Sequence, residues 1–436
     1  MVDPDEGATG PLPASLLPLT AETTDDGRLR VGGVDLCELA AEVGTPAFVY
    51  DEAHLRARCR EARAAWGDGT AYATKAFLCR AMAGLAHGEG FSLDVSTGGE
   101  LHVALAAGVP AARLVLHGNN KSDAEIEAAL VGGVGRIVVD SFDELDRLQR
   151  HVRRLGVGPV DVLLRVTPGV EAHTHEYVRT GQDDSKFGFG LASGVADEAV
   201  ARARALEAAG VVRLVGAHAH IGSQIFLLDS FRAEVEAMAA WFVPLGLDEL
   251  CVGGGLGVPY VAGEEAPSIT EWAACVRSAC NDAGIPGHVR LTAEPGRSIV
   301  ATAGITLYRV GTIKHLPGIR TYMSVDGGMS DNPRPVLYGS GYEAFLPRAT
   351  TARRPMVATV VGKHCESGDV LVRDACLPAD TAVDDILAMP VTGAYGYSMA
   401  SNYNKVPRPP VVFVADGRAR VVVRRETFDD LLHLDA

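Results

Sequence analysis

The chain of 436 residues contains no apolar run that approaches the roughly 18 residues needed to cross a bilayer, which excludes a membrane span. It contains no Lys/Arg cluster beyond short pairs and triplets, and its 40 basic and 55 acidic side chains give a formal net charge of -15. A duplex-binding surface needs a basic stripe, so nucleic acid is not expected as a partner. The acidic field also disfavours anionic ligands at long range, so a bound phosphate would rest on local backbone amides and a few placed donors. The eight cysteines (Cys37, Cys59, Cys79, Cys251, Cys275, Cys280, Cys365 and Cys376) are scattered and include no C-x-x-C pair. That argues against a disulfide framework or a zinc ribbon and fits a reducing cytoplasm. The opening Met1-Val2-Asp3-Pro4-Asp5-Glu6 lacks the basic-then-apolar order of a signal peptide. Aromatics are sparse at 6%, yet the hydrophobic share of 47% supplies ample core material, so wholesale disorder is excluded.

What is present is an alternation of short β-rich runs with longer helical patterns. Strands are predicted at residues 70–75, 91–96, 113–117, 136–140, 160–166, 215–221, 249–253 and 289–294. Stretches rich in Ala, Leu, Glu and Arg separate most of them, for example 98–107, 123–130 and 196–209. Such an alternation implies a parallel sheet with right-handed crossovers, and eight units are the count for a closed (β/α)8 barrel. An open doubly wound sheet is the competing architecture. The placement of polar residues favours the barrel: Lys75, Asp94, His117, Asp140, Arg165, His220, Gly253–Gly255 and Glu294 all fall at the C-terminal ends of strands. Those ends converge on one face of a barrel, where its active site sits. After about residue 305 the runs 305–310, 322–326, 356–361, 386–390 and 411–414 read as a second, mostly β domain. Residues 28–34 are expected to lend it an N-terminal strand. The expected α/β organisation is therefore a flexible lead-in at 1–27, a segment joining the β domain at 28–45, a TIM-like barrel at 46–304 and a C-terminal β-sandwich-like or barrel-like domain at 305–436.

Lys75 ends the first barrel strand between apolar and small residues. It reads either as a surface lysine or as a desolvated amine able to form a Schiff base. Glu294, in Glu294-Pro295-Gly296-Arg297, reads either as a partner of Arg297 or as a carboxylate facing a protonated ring nitrogen of a cofactor. His218 and His220 alternate on a strand and could bind a metal, but no nearby acidic residue completes a ligand set, and stacking of His220 on a flat cofactor is as plausible. For His218 a core histidine is the plain reading. Gly253-Gly254-Gly255-Leu256-Gly257 fails the dinucleotide fingerprint, which would need glycine at Val258. Three consecutive glycines still allow backbone amides to approach a phosphate, and the loops after strands seven and eight are the usual phosphate site of a barrel. Taken alone, Cys365 reads as a buried structural cysteine.

These residues sit in motifs that resemble a known family. The motifs are Tyr72-Ala-Thr-Lys75-Ala, Asp94-Val-Ser-Thr-Gly-Gly-Glu100, His117-Gly-Asn-Asn-Lys121-Ser, His220-Ile-Gly-Ser-Gln224, Gly253-Gly-Gly-Leu-Gly257 and Glu294-Pro-Gly-Arg297. Beyond them stand Asp326-Gly-Gly-Met-Ser-Asp331, Arg334-Pro-Val-Leu-Tyr338, Cys365-Glu-Ser-Gly-Asp369 and Gly393-Ala-Tyr395-Gly-Tyr-Ser-Met-Ala-Ser-Asn-Tyr-Asn404. From about Pro46 to Leu432 the chain resembles the alanine-racemase-like, or ornithine-decarboxylase-like, class of pyridoxal-phosphate enzymes, and within it the diaminopimelate decarboxylases of actinobacterial type.

The resemblance implies pyridoxal 5'-phosphate held by Lys75, with His220 stacked on its ring and Glu294 at its ring nitrogen. It implies a cofactor site that also includes Asp94, Ser223, Gly253, Gly254, Gly255, Gly296, Arg297 and Tyr395. Arg297, Arg334, Tyr338, Glu366 and Tyr395 are implied to grip the substrate. Cys365 and Glu366 would reach into the partner's site of a homodimer, and Cys365, or a water it positions, would return a proton to the product carbon. This replaces the plain reading of Cys365 and turns the histidine metal idea into cofactor stacking, with no metal. The implied reaction is decarboxylation of meso-2,6-diaminopimelate to L-lysine and CO2, with a small-molecule amino-acid substrate and a second copy of the chain as partners. Three readings compete: a related decarboxylase acting on another amino acid, with loop 173–188 over the site tuning selection; a racemase of the same fold; and a non-catalytic homologue that has lost the cofactor.

Overall fold

In the computed structural model, residues 12–170 and 184–436 are described. They form two compact units: Cys59–Gly257 with Ala266–Ser298, and a second made of the chain through Arg58, Val258–Glu265 and Ile299–Ala436.

The first unit is the expected barrel. Its strands are Ala71–Ala73, Ser92–Val95, Leu114–Leu116, Arg136–Val139, Val160–Thr167, Val212–His218, Glu249–Cys251 and Arg290–Thr292, each parallel to its neighbours in chain order. The sheet closes on itself. Thr70 and Ala293 form a parallel bridge, and the N–H groups of Ala71 and Ala73 donate to the carbonyls of Ala293 and Pro295 at 3.0 and 3.2 Å. A short strand, Phe189–Gly190, adds alongside Val160–Thr167. All but two of the barrel strands are only three or four residues long, and most of their residues are apolar and buried, as expected for strands covered on both faces. The helices start where the sequence supplies caps. Ser122 with Glu125, and Ser268 with Glu271, close reciprocal capping boxes on Asp123–Gly132 and Ile269–Asp282. Phe142–Leu155 buries Leu145, Leu148 and Val152, one helical stripe, and ends at Gly156 in the left-handed region with φ 65°.

The second unit is built on one sheet with the order Val370–Leu377, Met356–Val361, Arg320–Val325, Gly304–Leu316, Ala47–Asp51, Val411–Ala415 and Arg418–Val423, with Ile386–Pro390 paired to Gly304–Leu316. Its N-terminal strand is not where it was expected. Residues 28–34 instead form Leu29–Val31 and Val34–Asp35, reversed at Gly32 and Gly33 (φ 57° and 77°), in a small antiparallel sheet with Glu22–Thr23. The strand that enters the main sheet is Ala47–Asp51, antiparallel to Gly304–Leu316 and parallel to Val411–Ala415. The unit therefore takes in residues 47–58 and begins again at Ile299, so the boundaries expected at 46 and 304 both shift. The expected flexible lead-in is also corrected from residue 12 onward. Leu16 is fully buried, and Thr20 donates from its backbone N–H and its hydroxyl to Asp51 Oδ2 at 2.9 and 2.8 Å. Residues 1–11 of that lead-in lie outside the described residues.

Two buried charge arrangements tie elements together. In the barrel, Lys121 Nζ meets Glu144 Oε1 at 2.7 Å with both side chains almost fully enclosed, and also donates to the carbonyls of Gly118 and Val138. In the β unit, Tyr308 donates to Asp331 Oδ1, and Asp331 Oδ2 accepts from the N–H of Gly328 at 2.9 Å. Burial outweighs these bonds and pushes the Asp331 carboxyl up to about 7.

Replacing Lys121 by Met strands Glu144 without its buried cation and is expected to cost about 3 kcal/mol or more in chemical denaturation. The raised Asp331 means the folded state binds an extra proton between the ordinary 3.8 and about 7, so its contribution to stability falls as pH rises through that window. Thermal melting of Asp331→Asn across the same window should show a flatter pH dependence than the parent; an unchanged slope would refute it.

Candidate active site

The barrel strands deliver their polar residues to one end. Lys75 lies in a single 3-10 turn, Thr74–Ala76, directly after the first strand, and its side chain is exposed. Thr74 Oγ1 donates to the Asp94 carbonyl at 2.7 Å, tying this turn to the end of the second strand. Gly296 packs beneath it: a Cβ there would meet Ala73 at 3.0 Å and Ala76 at 3.2 Å.

Glu294, two residues past the eighth strand, is 7% exposed. Its Oε1 receives His117 Nε2 at 2.9 Å and its Oε2 receives His218 Nε2 at 3.0 Å. The two rings meet edge to face at 5.0 Å. Burial alone would raise the Glu294 pKa, but the two histidines hold it well below the carboxylate range. Burial works to lower the His117 pKa, yet the charges of Asp94, 3.6 Å away, and Glu294 raise it. Asp94 itself is pushed up to about 6 by burial, with His117 opposing. His218, buried and next to His117 and Arg165, is lowered despite Glu294, and its Nδ1 has no hydrogen-bond partner. The site thus sets a carboxylate held ionised between two imidazoles of opposite tendency, His117 pushed towards its charged form and His218 towards its neutral one.

His220 is held apart from this group. Its Nδ1 accepts from the N–H of Gly254 at 3.3 Å. Burial, with the cations Lys75 and Arg165 nearby, keeps its ring neutral. The regular strand ends at His218, so the alternation that predicted a shared face for His218 and His220 stops there, and the two rings take different partners. The glycine loop packs closely against both neighbours. The Glu294 N–H donates to the Gly253 carbonyl at 2.7 Å, a Cβ on Gly254 would stand 2.4 Å from the Glu294 carbonyl oxygen, and one on Gly255 (φ +111°) 2.4 Å from that of Gly222. Arg297 Nη2 donates to Ser223 Oγ at 3.0 Å. The alternative pairing of Glu294 with Arg297 is therefore replaced: each has another partner.

Arg165, at the end of the fifth strand, lies 3.8 Å from Asp140 Oδ2 and 4.2 Å over the Phe187 ring, while Asp140 Oδ1 accepts from the Gly188 N–H at 2.6 Å. These contacts anchor the C-terminal end of loop 173–188. The rest of that expected selectivity loop, 173–183, lies outside the described residues.

The β unit carries the remaining expected residues. Arg334 is 4% exposed, donates to Tyr342 Oη at 2.6 Å and lies 4.2 Å over the Tyr260 ring. It shares the short helix Arg334–Tyr338 with Tyr338. Tyr395 sits at a turn with φ 60°. Cys365 is exposed, not the buried structural cysteine of the plain reading, and its N–H donates to Asn404 Oδ1 at 2.9 Å. Glu366 is exposed beside it, with Tyr403 Oη 3.5 Å from its carboxylate. Asp369 ties this turn down: it accepts from the His364 and Met329 backbone N–H groups and from His364 Nδ1 at 2.7 Å. His117 and His218 are the site residues that the sequence reading left without a role. Their one local signal is position, at or just past the ends of the third and sixth strands.

The donor set suits a flat cationic cofactor with a phosphate. An amine stands open at the end of one strand, an ionised buried carboxylate at the end of another, a neutral imidazole lies between strands, and a glycine loop sits beside Ser223 and Arg297. A family model described as "Pyridoxal-dependent decarboxylase, pyridoxal binding domain" matches residues 52–301. The chain belongs to this family of pyridoxal-dependent decarboxylases. Curated proteins similar to it include diaminopimelate decarboxylases: that of Actinosynnema pretiosum is 48% identical, covering 98% of both chains, and that of Mycobacterium tuberculosis 47% identical, covering 95% of this chain and 96% of the relative. The solved diaminopimelate decarboxylase of M. jannaschii superposes with a TM-score of 0.89 at 33% identity over 96% of this chain and 98% of its own. That of Helicobacter pylori, solved with L-lysine, gives 0.83 at 32% over 91% and 98%.

Substituting Gly254 by Ala forces the loop away from Glu294. It is expected to cost about 1–3 kcal/mol in thermal melting and to weaken retention of pyridoxal phosphate on dialysis; a fully stable variant that keeps the cofactor would refute the tight-approach reading.

Proposed function

We propose that this chain catalyses the pyridoxal-phosphate-dependent decarboxylation of meso-2,6-diaminopimelate to L-lysine and CO2, the last step of lysine biosynthesis, as a cytoplasmic homodimer. The observation that carries the reading is the buried Glu294 carboxylate, kept ionised at the barrel end that also presents the Lys75 amine. Near-full-length likeness to diaminopimelate decarboxylases supports the substrate. When bound, pyridoxal phosphate supplies the electron sink for the pair left on Cα as CO2 departs.

The residues do the rest. The Lys75 amine would hold the cofactor and lies exposed at the barrel end, where a substrate amine can reach it. Glu294 faces the ring nitrogen as a fixed negative charge and keeps it protonated. The neutral ring of His220 suits stacking, because a cation there would oppose a protonated pyridine. Asp94, through His117, adds negative charge to the same group. Ser223, Gly255, the Gly296–Arg297 turn and Tyr395 hold the phosphate, with Gly253 and Gly254 beside them in the cofactor site, and local donors offset the acidic field of the whole chain.

Arg297, Arg334, Tyr338, Glu366 and Tyr395 bind the far end of the substrate. Arg334 suits a carboxylate: its guanidinium is a planar fork of donors, and its packing on the rings of Tyr260 and Tyr342 aims that fork without pairing it with a carboxylate. Diaminopimelate has a distal carboxylate and ornithine has none. Cys365 and Glu366 serve the partner subunit's site, and Cys365, or a water it positions, returns the proton to Cα. Their exposure in a single chain supports that assignment. A related decarboxylase acting on another amino acid is the second reading; the relatives' names favour the first.

Release of L-lysine from meso-diaminopimelate with pyridoxal phosphate present tests it, with ornithine, L-lysine, arginine and glutamate run in parallel. Lysine formation should dominate the panel. Lys75→Ala, folded by melting, should lower kcat by roughly a thousandfold or more. A folded, coloured protein that leaves diaminopimelate untouched would overturn the substrate assignment and retain the cofactor.

A further inference from the structure

We propose that His117 and His218 are positioning residues that together keep Glu294 ionised and stop its carboxylate from turning, so that it meets the cofactor's ring nitrogen with a fixed charge and a fixed plane. This deepens the reading above and rests on it.

The geometry is the argument. Glu294 is nearly enclosed, and an enclosed carboxylate without donors takes up a proton. Each of its oxygens is met by a different imidazole, at 2.9 and 3.0 Å, and the two imidazoles come from different strands. A single donor would leave the carboxylate free to rotate about its Cγ–Cδ bond; two donors from two sides fix its plane. Each oxygen retains a second lone pair for an incoming N–H.

The two histidines are not equivalent. The Nδ1 of His218 is buried without a partner, so its ring fits the neutral form with the proton on Nε2, pointing at Glu294. His117 also faces Asp94 and fits the charged form. Glu294 therefore has one donor that neighbouring carboxylates push towards its charged form and one that burial pushes towards its neutral form. Both rings donate to the carboxylate, and each such hydrogen bond favours its ionised form over the neutral one. The other titratable or charged groups around this cluster are Asp94 on the second strand, Arg165 on the fifth, Cys251 on the seventh, and Lys75 and His220 at the ends of the first and sixth. Burial keeps the Cys251 thiol protonated, so it adds no charge. The three ligand-type atoms of His117, His218 and Glu294 all lie within 4.8 Å of one another, a spacing that the two hydrogen bonds explain by themselves.

The test uses the full-length enzyme loaded with pyridoxal phosphate carrying an isotope-labelled ring nitrogen, whose protonation is followed by NMR against pH. The variants are His117→Phe and His218→Phe, which keep volume and lose the donor, and His117→Asn and His218→Asn, which keep a donor. The parent should hold the ring nitrogen protonated through the neutral range. Each Phe variant should lose that proton within the range and show kcat lower by roughly 10- to 100-fold, with KM changed less than about threefold. Each Asn variant should move in the same direction by less, and it carries the test alone should its Phe counterpart fail to fold. Folded variants whose ring nitrogen stays protonated as in the parent would overturn the proposal. A parent enzyme that takes up no cofactor would instead overturn the pyridoxal reading on which it rests.

Discussion

The structure turns on one buried negative charge. Glu294 lies just past the strand that closes the barrel, where the chain must pair with the first strand on one side and the seventh on the other. Its backbone N–H is committed to Gly253 and its carbonyl is approached by Gly254. Its side chain can stay ionised only because donors reach it from elsewhere in the barrel. The glycines of the neighbouring loop follow from this constraint, since any side chain at Gly254 would occupy the space of the Glu294 backbone. The histidines at the ends of the third and sixth strands follow from it as well.

The β unit solves a related problem with different means. The residues expected to be functional sit in turns and in the one-turn helix Arg334–Tyr338, and buried acids and rings keep these segments in place. Asp369 holds the turn of Cys365 and Glu366 through three donors, and Asp331 holds the glycine-rich segment before Arg334. Arg334 is buried on aromatic faces, which accept a guanidinium without neutralising it. In both units the chemistry-bearing groups stand at element ends, and packing elsewhere fixes where those ends lie.

The eight barrel strands were legible within a few residues because most are short, largely apolar runs between helical stretches with clear caps. Polar residues at their C-terminal ends marked one face. The strand Ala47–Asp51 was not legible. It is buried on every residue and so shows no alternation, and its partners are about 250 and 360 residues away. The segment 28–34 looked like one strand because the turn at Gly32 and Gly33 is only two residues long. The order of residues 12–27 was hidden for a similar reason: it depends on Thr20 reaching Asp51, a contact that composition does not announce.

The sequence by itself determined the barrel, the β domain, the family, and the presence of an amine, a carboxylate and a glycine loop at strand ends. Those features are written in local pattern and motif. The partners of the carboxylate were decided only by tertiary structure. His117 and His218 stand 177 and 76 positions from Glu294, and nothing in either neighbourhood says that they meet it. Closure of the barrel brings them together, and the cost of burying an unpaired charge then makes the contact necessary.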